Sequence, residues 1–310
     1  MKILHIDSNH PILISTLKNN GYINDLDISS SKEEIIKIID DYDGLILRSR
    51  FKIDKYFIDN ASNLKFIARV GSGLENIDCN YAKSKNIEVI SSPEGNSNAV
   101  GDHAMGLLLS LLNNINISSN QVKNGLWFRE KNRGFEIEGK TVAILGMGNT
   151  GKSFAKKISS FNCKVVFYDI NEKIESKYAK KTSLDFLYKN ADIVSLHLPF
   201  TTTTTDLFNK EFIQKFDKPF WLINTSRGKI VNTPDLVDAL NEKKILGAGL
   251  DVIDIESSSF NNIEKELNPY FYELINLKNV IITPHIAGWT FESNVKLSQI
   301  IIDKIESYLK

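Results

Sequence analysis

The chain has two cysteines, seven prolines and no excess of charge of either sign. Cys79 and Cys163 stand alone, with no CxxC pair and no Cys/His cluster. A disulfide framework and a thiolate zinc centre are thereby excluded as organising devices, and no metal is expected. Two isolated cysteines suit a reducing compartment, each as a small buried apolar residue. Lys+Arg and Asp+Glu both number 38, so the formal net charge is zero. A nucleic-acid protein would carry the surplus cations that neutralise phosphates, and a membrane-surface protein a polybasic patch. No stretch approaches the roughly 18 uninterrupted apolar residues of a membrane span. The opening MKILHIDSNHPIL is broken by His5 and Asp7, too short and polar for a signal peptide, and reads as a first strand. The expectation is a soluble, cytoplasmic protein with no nucleic-acid or membrane partner.

What is present is an alternation. Short, nearly continuous apolar runs occur at Lys2–Ile6, Gly44–Leu47, Lys65–Val70, Glu88–Ile90, Thr141–Leu145, Lys164–Tyr168, Asp192–Leu198, Phe220–Asn224, Gly247–Leu250 and Val280–Thr283. Amphipathic segments such as Ser31–Ile39, Asp78–Lys85 and Lys152–Ser160 lie between them. Strands separated by helical patterns mark βαβ units, and lack of alternation marks strands covered on both faces. At 310 residues, two domains are expected. A continuous helix is predicted from Asn98 to about Val122, a loop-like stretch over Lys123–Lys140, and a turn with helix entry at Thr201–Thr205. The last helix, Phe291–Tyr308, has no sheet of its own and is expected to return to the N-terminal domain. The domains are therefore drawn as 1–97 plus 286–310, and 98–285, with a cleft between them.

The sharpest local signal is Thr141-Val-Ala-Ile-Leu-Gly146-Met-Gly148-Asn149-Thr150-Gly151. This glycine pattern follows a strand, opens a helix, and precedes a second strand ending in Asp169, the context its mechanism requires. Gly146 permits a tight turn, Gly148 lets backbone approach a pyrophosphate, and Gly151 lets helix and strand pack closely. The helix N-terminus stabilises the phosphate charge. Asp169, 18 residues beyond Gly151, sits where a carboxylate accepts from both ribose hydroxyls and repels a 2′-phosphate. NAD rather than NADP is expected. The fold class is then α/β, with two Rossmann-like, doubly wound parallel-sheet domains.

Three further motifs follow predicted strands: Asn224-Thr-Ser-Arg227-Gly228, Leu250-Asp251-Val-Ile-Asp-Ile-Glu256 and Thr283-Pro-His285-Ile-Ala-Gly288. Ligands gather at the carboxyl ends of parallel strands, so an Arg, a Glu and a His should meet beside the nicotinamide. Together with Arg69-Val-Gly-Ser-Gly-Leu-Glu-Asn-Ile-Asp78, Gly95-Asn-Ser-Asn-Ala-Val-Gly-Asp-His103 and His197-Leu-Pro199, the pattern resembles the D-isomer-specific 2-hydroxyacid dehydrogenases over nearly the whole chain. The resemblance implies a split substrate domain with an inserted NAD domain, and Arg227, Glu256 and His285 as catalytic residues. It assigns cofactor contacts to Gly146, Gly148, Asn149, Thr150, Gly151, Asp169, His197, Pro199, Thr204, Thr225, Ser226 and Asp251. It assigns substrate contacts to Arg48, Arg69, Val70, Gly71 and Ser72, besides Arg227 and His285. The chemistry fits the residue types. His285 exchanges a proton with the substrate hydroxyl, Glu256 fixes its tautomer and stabilises the imidazolium, and Arg227 offers a planar fork to the carboxylate.

Arg48 and Arg69 match positions at which members acting on a phosphorylated hydroxy acid place cations. The implied reaction is NAD-dependent oxidation of D-3-phosphoglycerate at the start of serine synthesis. Another D-2-hydroxy acid of the glyoxylate, hydroxypyruvate or D-lactate type is the alternative, and an NAD-sensing corepressor a more distant one. The chain stops after the closing helix, so no serine-sensing domain and no serine feedback through it are expected. Asp102 replaces the usual Glu, which should weaken a structural contact. Trp289 is read as either pocket wall or core. A homodimer through the NAD domain is implied, with the helix from Asn98 and the arm Gly125-Leu-Trp127-Phe128 as contact surface.

Overall fold

Residues 1–256 and 269–310 are described by a computed structural model. The reading of a second domain over 98–285 includes 257–268, which lie outside the described residues. By its internal contacts the described chain forms two units, 1–96 with 289–310, and 97–256 with 269–288.

The first unit is built on a five-stranded, all-parallel sheet: β1 (Lys2–His5), β2 (Ile23–Leu26), β3 (Gly44–Leu47), β4 (Phe66–Arg69) and β5 (Glu88–Ser91), in the order β2-β1-β3-β4-β5. Side chains such as Leu4, Leu45 and Ile67 point into one apolar layer, and Ile3, Ile46, Phe66 and Ala68 into another. Burial on both faces is the reason these strands are continuously apolar rather than alternating. The closing helix Phe291–Leu309 starts at Thr290, whose hydroxyl accepts the Ser293 N–H while Ser293 Oγ accepts the Thr290 N–H. Its Leu297, Ile301, Ile302 and Ile305 form one apolar stripe against Ile3, Leu13, Leu17 and Ile90. It comes so close that a Cβ on Gly95 would sit 2.8 Å from the Leu297 backbone.

The second unit holds seven parallel strands: β6 (Thr141–Leu145), β7 (Lys164–Tyr168), β8 (Lys180–Lys181), β9 (Ile193–Leu196), β10 (Phe220–Asn224), β11 (Ile245–Leu250) and β12 (Val280–Ile282), ordered β12-β11-β10-β9-β6-β7-β8. Its helices are capped as their sequences ask: Ser183, Asn209 and Asn232 each accept an N–H from the first turn. The strand order reverses at β6, between β9 and β7, the switch point at which ligands of open α/β sheets collect. Pairing puts Leu145 opposite Tyr168 and Leu196, Asn224 opposite Leu196 and Leu250, and Leu250 opposite Ile282. The carboxyl ends of six strands therefore stand in line. The loops they carry all emerge from one edge.

The structure corrects the sequence reading in a few places. The helix expected over 98–122 is two, Ser97–Leu112 and Ile115–Lys123. Asn114 turns left-handed (φ 53°), and the Leu112 carbonyl accepts the Phe135 N–H at 2.8 Å from a segment crossing the helix end. Asn tolerates that conformation because its short amide bonds locally, here to the Arg133 carbonyl. Strands β2 and β8 have no counterpart in the sequence pattern. The helix expected from Lys152 begins at Asn149. No helix of the described residues is long and apolar enough to cross a membrane.

Candidate active site

The glycine turn after β6 is sterically defined. Gly146 has φ +90°, and a Cβ there would lie 2.4 Å from the His197 carbonyl oxygen. A Cβ on Gly151 would lie 2.1 Å from the Gly146 carbonyl, whereas one on Gly148 would meet nothing within 4 Å. The first and third glycines are thus fixed by close packing, and the second leaves its backbone open to an approaching group. Helix Asn149–Ile158 begins on Gly148 with no side-chain cap, so its first N–H groups remain available to an anion. Asp169 Oδ2 accepts the Met147 N–H at 2.7 Å and Oδ1 the Asn171 N–H at 2.8 Å. The carboxylate is held beside the turn, and each oxygen keeps capacity for another donor.

His197 is buried, its ring stacked on Phe154 with centroids 5.4 Å apart. One ring nitrogen meets Ser195 Oγ at 2.9 Å and the other Thr150 Oγ1 at 3.2 Å. Burial without a carboxylate partner pushes its pKa down to about 3, so the ring is neutral and ties the glycine turn to β9. Thr204 Oγ1 donates to the Pro199 carbonyl at 2.7 Å and accepts the Thr201 N–H at 2.8 Å, closing the threonine turn. After β10, Asn224 Oδ1 accepts both the N–H and the hydroxyl of Ser226, and its amide donates to the Arg227 carbonyl. Ser226, expected on the cofactor, thus has its hydroxyl engaged by Asn224. The Thr225 hydroxyl, by contrast, is buried with no hydrogen-bond partner among the described residues.

A carboxylate–imidazole pair joins the loops after β11 and β12. Glu256 Oε2 lies 2.7 Å from His285 Nδ1, both side chains half-buried. With that carboxylate accepting from Nδ1–H, the ring's lone pair lies on Nε2. His285 has a left-handed backbone, φ +55°, strained for a residue other than glycine. Asp251 imposes it. Its carbonyl accepts the His285 N–H at 2.8 Å, Oδ1 accepts from Ile286 N and Thr283 Oγ1, and Oδ2 from Ala287 N. Having given its proton to Asp251, the Thr283 hydroxyl accepts from His103 Nε2 at 2.9 Å. Asp251, assigned to the cofactor from the sequence, therefore spends both side-chain oxygens on the histidine loop. Nothing local in the sequence marks Thr283 and His103 as its supports. Arg227 is drawn to the same place: a Cβ on Gly228 would fall 2.0 Å from the Ile253 carbonyl, so the β10 loop lies directly on the turn that ends in Glu256.

The residues expected to contact substrate, apart from Arg227 and His285, belong to the first unit. Arg48 and Arg69 follow and end β3 and β4, with Leu47 paired to Arg69. Arg69 Nε donates to the Arg48 carbonyl at 3.3 Å, and the Arg69 guanidinium folds across Gly71, where a Cβ would meet it at 1.7 Å. Burial lowers the Arg48 pKa from its ordinary value, with Asp7 opposing. Arg50 is structural, donating to the carbonyls of Ile6, Asp27 and Ser30. The Val70 N–H is paired with the Leu47 carbonyl, the Gly71 N–H with Ser92 Oγ, and the Ser72 hydroxyl with Asn96 Oδ1. Trp289 is no core residue. It is 66% exposed, with the Arg48 guanidinium 4.0 Å from its ring centre. Asp102 pairs with Lys157 at 2.8 Å.

These features fit a dinucleotide: an uncapped helix N-terminus, an open second glycine, a carboxylate at the end of the next strand and a buried unpartnered hydroxyl. The family model described as D-isomer specific 2-hydroxyacid dehydrogenase, NAD binding domain, matches residues 105–287. A hydroxypyruvate reductase of Thermotoga maritima is 34% identical over 88% of this chain and 87% of that protein. A D-3-phosphoglycerate dehydrogenase of Archaeoglobus fulgidus is 32% identical over the whole chain, which spans 58% of that relative's length. Among solved structures, an acyclic imino acid reductase in complex with NADPH and D-Arg superposes with a TM-score of 0.87 at 28% identity, covering 100% of this chain and 97% of that one. The chain belongs to the D-isomer specific 2-hydroxyacid dehydrogenases. It is an NAD-dependent oxidoreductase.

Proposed function

We propose that the chain oxidises D-3-phosphoglycerate to 3-phosphohydroxypyruvate, the entry reaction of serine synthesis. The observation that carries this reading is the pair of arginines at the ends of β3 and β4, the Arg69 side chain donating to the Arg48 backbone carbonyl. A phosphate brings close to two negative charges and needs cations of its own, because Arg227 is committed to the carboxylate. When bound, NAD supplies the hydride acceptor. The remaining work belongs to this chain. Arg227 holds the carboxylate in a planar fork, His285 Nε2 takes the C2 hydroxyl proton as the carbonyl forms, and Glu256 stabilises the resulting imidazolium through Nδ1. The uncapped helix at Asn149, the Thr225 hydroxyl and Asp169 would hold the dinucleotide.

A charge-assisted contact contributes roughly 1.5–3 kcal/mol. Arg48→Ala or Arg69→Ala should therefore lower kcat/KM for D-3-phosphoglycerate about 10–150-fold and that for D-glycerate much less. Equal losses on both substrates would sink the phosphate assignment. The second reading, reduction of hydroxypyruvate or glyoxylate, is favoured by the hydroxypyruvate reductase likeness over 87% of that protein's length. Assay of both directions with the same two variants separates the readings. A homodimer belongs to the same proposal. Helix Ile115–Lys123 buries none of its residues, and the following arm exposes Leu126 and Phe128 and leaves Trp127 81% exposed. Light scattering at micromolar concentration should give twice the chain mass; the mass of one chain would refute the dimer.

A further inference from the structure

We propose that Trp289 is a positioning residue for substrate recognition: its indole holds the Arg48 guanidinium flat, so that the in-plane N–H groups of Arg48 are presented to a dianionic group on the substrate. This rests on the reading that Arg48 takes the phosphate, and it adds a residue to that site.

Both members of the pair are fixed from behind. The Arg48 N–H is held by Asp7 Oδ2 at 2.6 Å, and its carbonyl accepts from Arg69 Nε and from Asn76 Nδ2, each at 3.3 Å. Trp289 stands directly before the reciprocal Thr290–Ser293 cap that starts the closing helix, and that helix is pressed against Gly95. The ring therefore sits on rigid backbone. With the guanidinium carbon 4.0 Å from the ring centre, the indole covers one face of Arg48. A guanidinium directs its N–H donors in its own plane, so stacking uses a face and leaves the edges. Those edges make no hydrogen bond to any described residue, although Arg48 is half-buried. Asp7 is the nearby carboxylate, and its Oδ2 is taken by the backbone N–H groups of Arg48 and Arg50. A half-buried cation with one face covered and its donors unused is arranged for an external anion.

Trp289 contributes little as packing, since two-thirds of it faces solvent. A flexible arginine would lose rotamer freedom on capturing the anion, and the indole removes that loss in advance. The expected signature is a change in KM for phosphorylated substrate with kcat nearly preserved.

The test compares Trp289→Leu, Trp289→Phe, Arg48→Ala and the Arg48→Ala/Trp289→Leu double variant, on D-3-phosphoglycerate and D-glycerate. Thermal midpoints serve as the folding control. Trp289→Leu should raise KM for D-3-phosphoglycerate about 3–30-fold, the range of a cation–π contact, and change the D-glycerate value several-fold less. Trp289→Phe should restore most of the difference. Added to Arg48→Ala, the Leu substitution should cost nothing further on the phosphorylated substrate. Additive losses in the double variant, or equal losses on both substrates, would overturn the inference. If Arg48→Ala is phosphate-selective while Trp289→Leu is without effect, the inference fails and the phosphate reading stands. If Arg48→Ala is not selective either, both fall.

Discussion

Acidification should destabilise the second unit through His197, and the size of the effect can be worked out. The ring is buried between Phe154 and the hydroxyls of Ser195 and Thr150, and its pKa is about 3 against about 6.5 when exposed. Between those values the unfolded chain binds a proton that the folded chain refuses, so stability falls as the pH drops from 6.5 towards 3. At 1.36 kcal/mol per pH unit, the loss is about 2 kcal/mol at pH 5 and on the order of 5 kcal/mol below pH 3. The assay is urea unfolding at pH 8 and pH 5, followed by the fluorescence of Trp221, which is buried in the same unit. The comparison is with His197→Gln. That variant should be weaker at both pH values, because it loses the stacked ring, but its drop between them should be smaller by about 2 kcal/mol. His5, also lowered by burial, adds a loss of the same sign to both proteins and cancels. Equal drops in wild type and variant would refute a buried, neutral His197.

Other outcomes can be checked alongside. Asp169→Ala should weaken NAD and narrow its preference over NADP; a wild-type enzyme that used NADP better would show that Asp169 does not read the ribose. His285→Ala should lower kcat roughly 10²–10⁴-fold while fluorescence titration still shows NAD binding. In Glu256→Gln the pH–rate profile should move, since the imidazolium loses its charged partner; an unmoved profile removes Glu256 from the proton chemistry. Gly228→Ala places a Cβ 2.0 Å from the Ile253 carbonyl, so kcat and thermal midpoint should fall together, and an unaltered kcat would show that the Arg227 loop need not lie there.

Strands Thr141–Leu145, Lys164–Tyr168 and Phe220–Asn224 could be read to the residue because burial on both faces demands unbroken apolar runs. Ile23-Asn-Asp-Leu26 could not: it is an edge strand with exposed Ile23 and Leu26, and its polar middle resembles loop. Lys180–Lys181 is too short and too charged to carry a signal. The break after Leu112 depends on the Phe135 N–H, which arrives from a distant segment, so helical periodicity ran through it. The same division holds in the site. Glu256 and His285 could be paired because each lies in a motif just beyond a strand, and adjacent parallel strands bring such ends together. The network of His103, Thr283 and Asp251 joins residues up to 180 positions apart. Arg48 on Trp289 is likewise a contact of tertiary packing, and pattern has no access to either.

The left-handed backbone of His285 has a consequence for how the enzyme should lose activity. The conformation is maintained by Asp251 across the boundary between β11 and β12, and β12 is three half-buried residues at the margin of the sheet. Margins of this kind open locally at a lower free energy than the whole domain unfolds. Release of β12 would let His285 relax to an ordinary backbone and part from Glu256 while the central strands stay paired. Heat or mild denaturant should therefore silence turnover before the bulk of the helix signal is lost. Amide exchange at Ile286 and Ala287 should keep pace with that early silencing rather than with global unfolding.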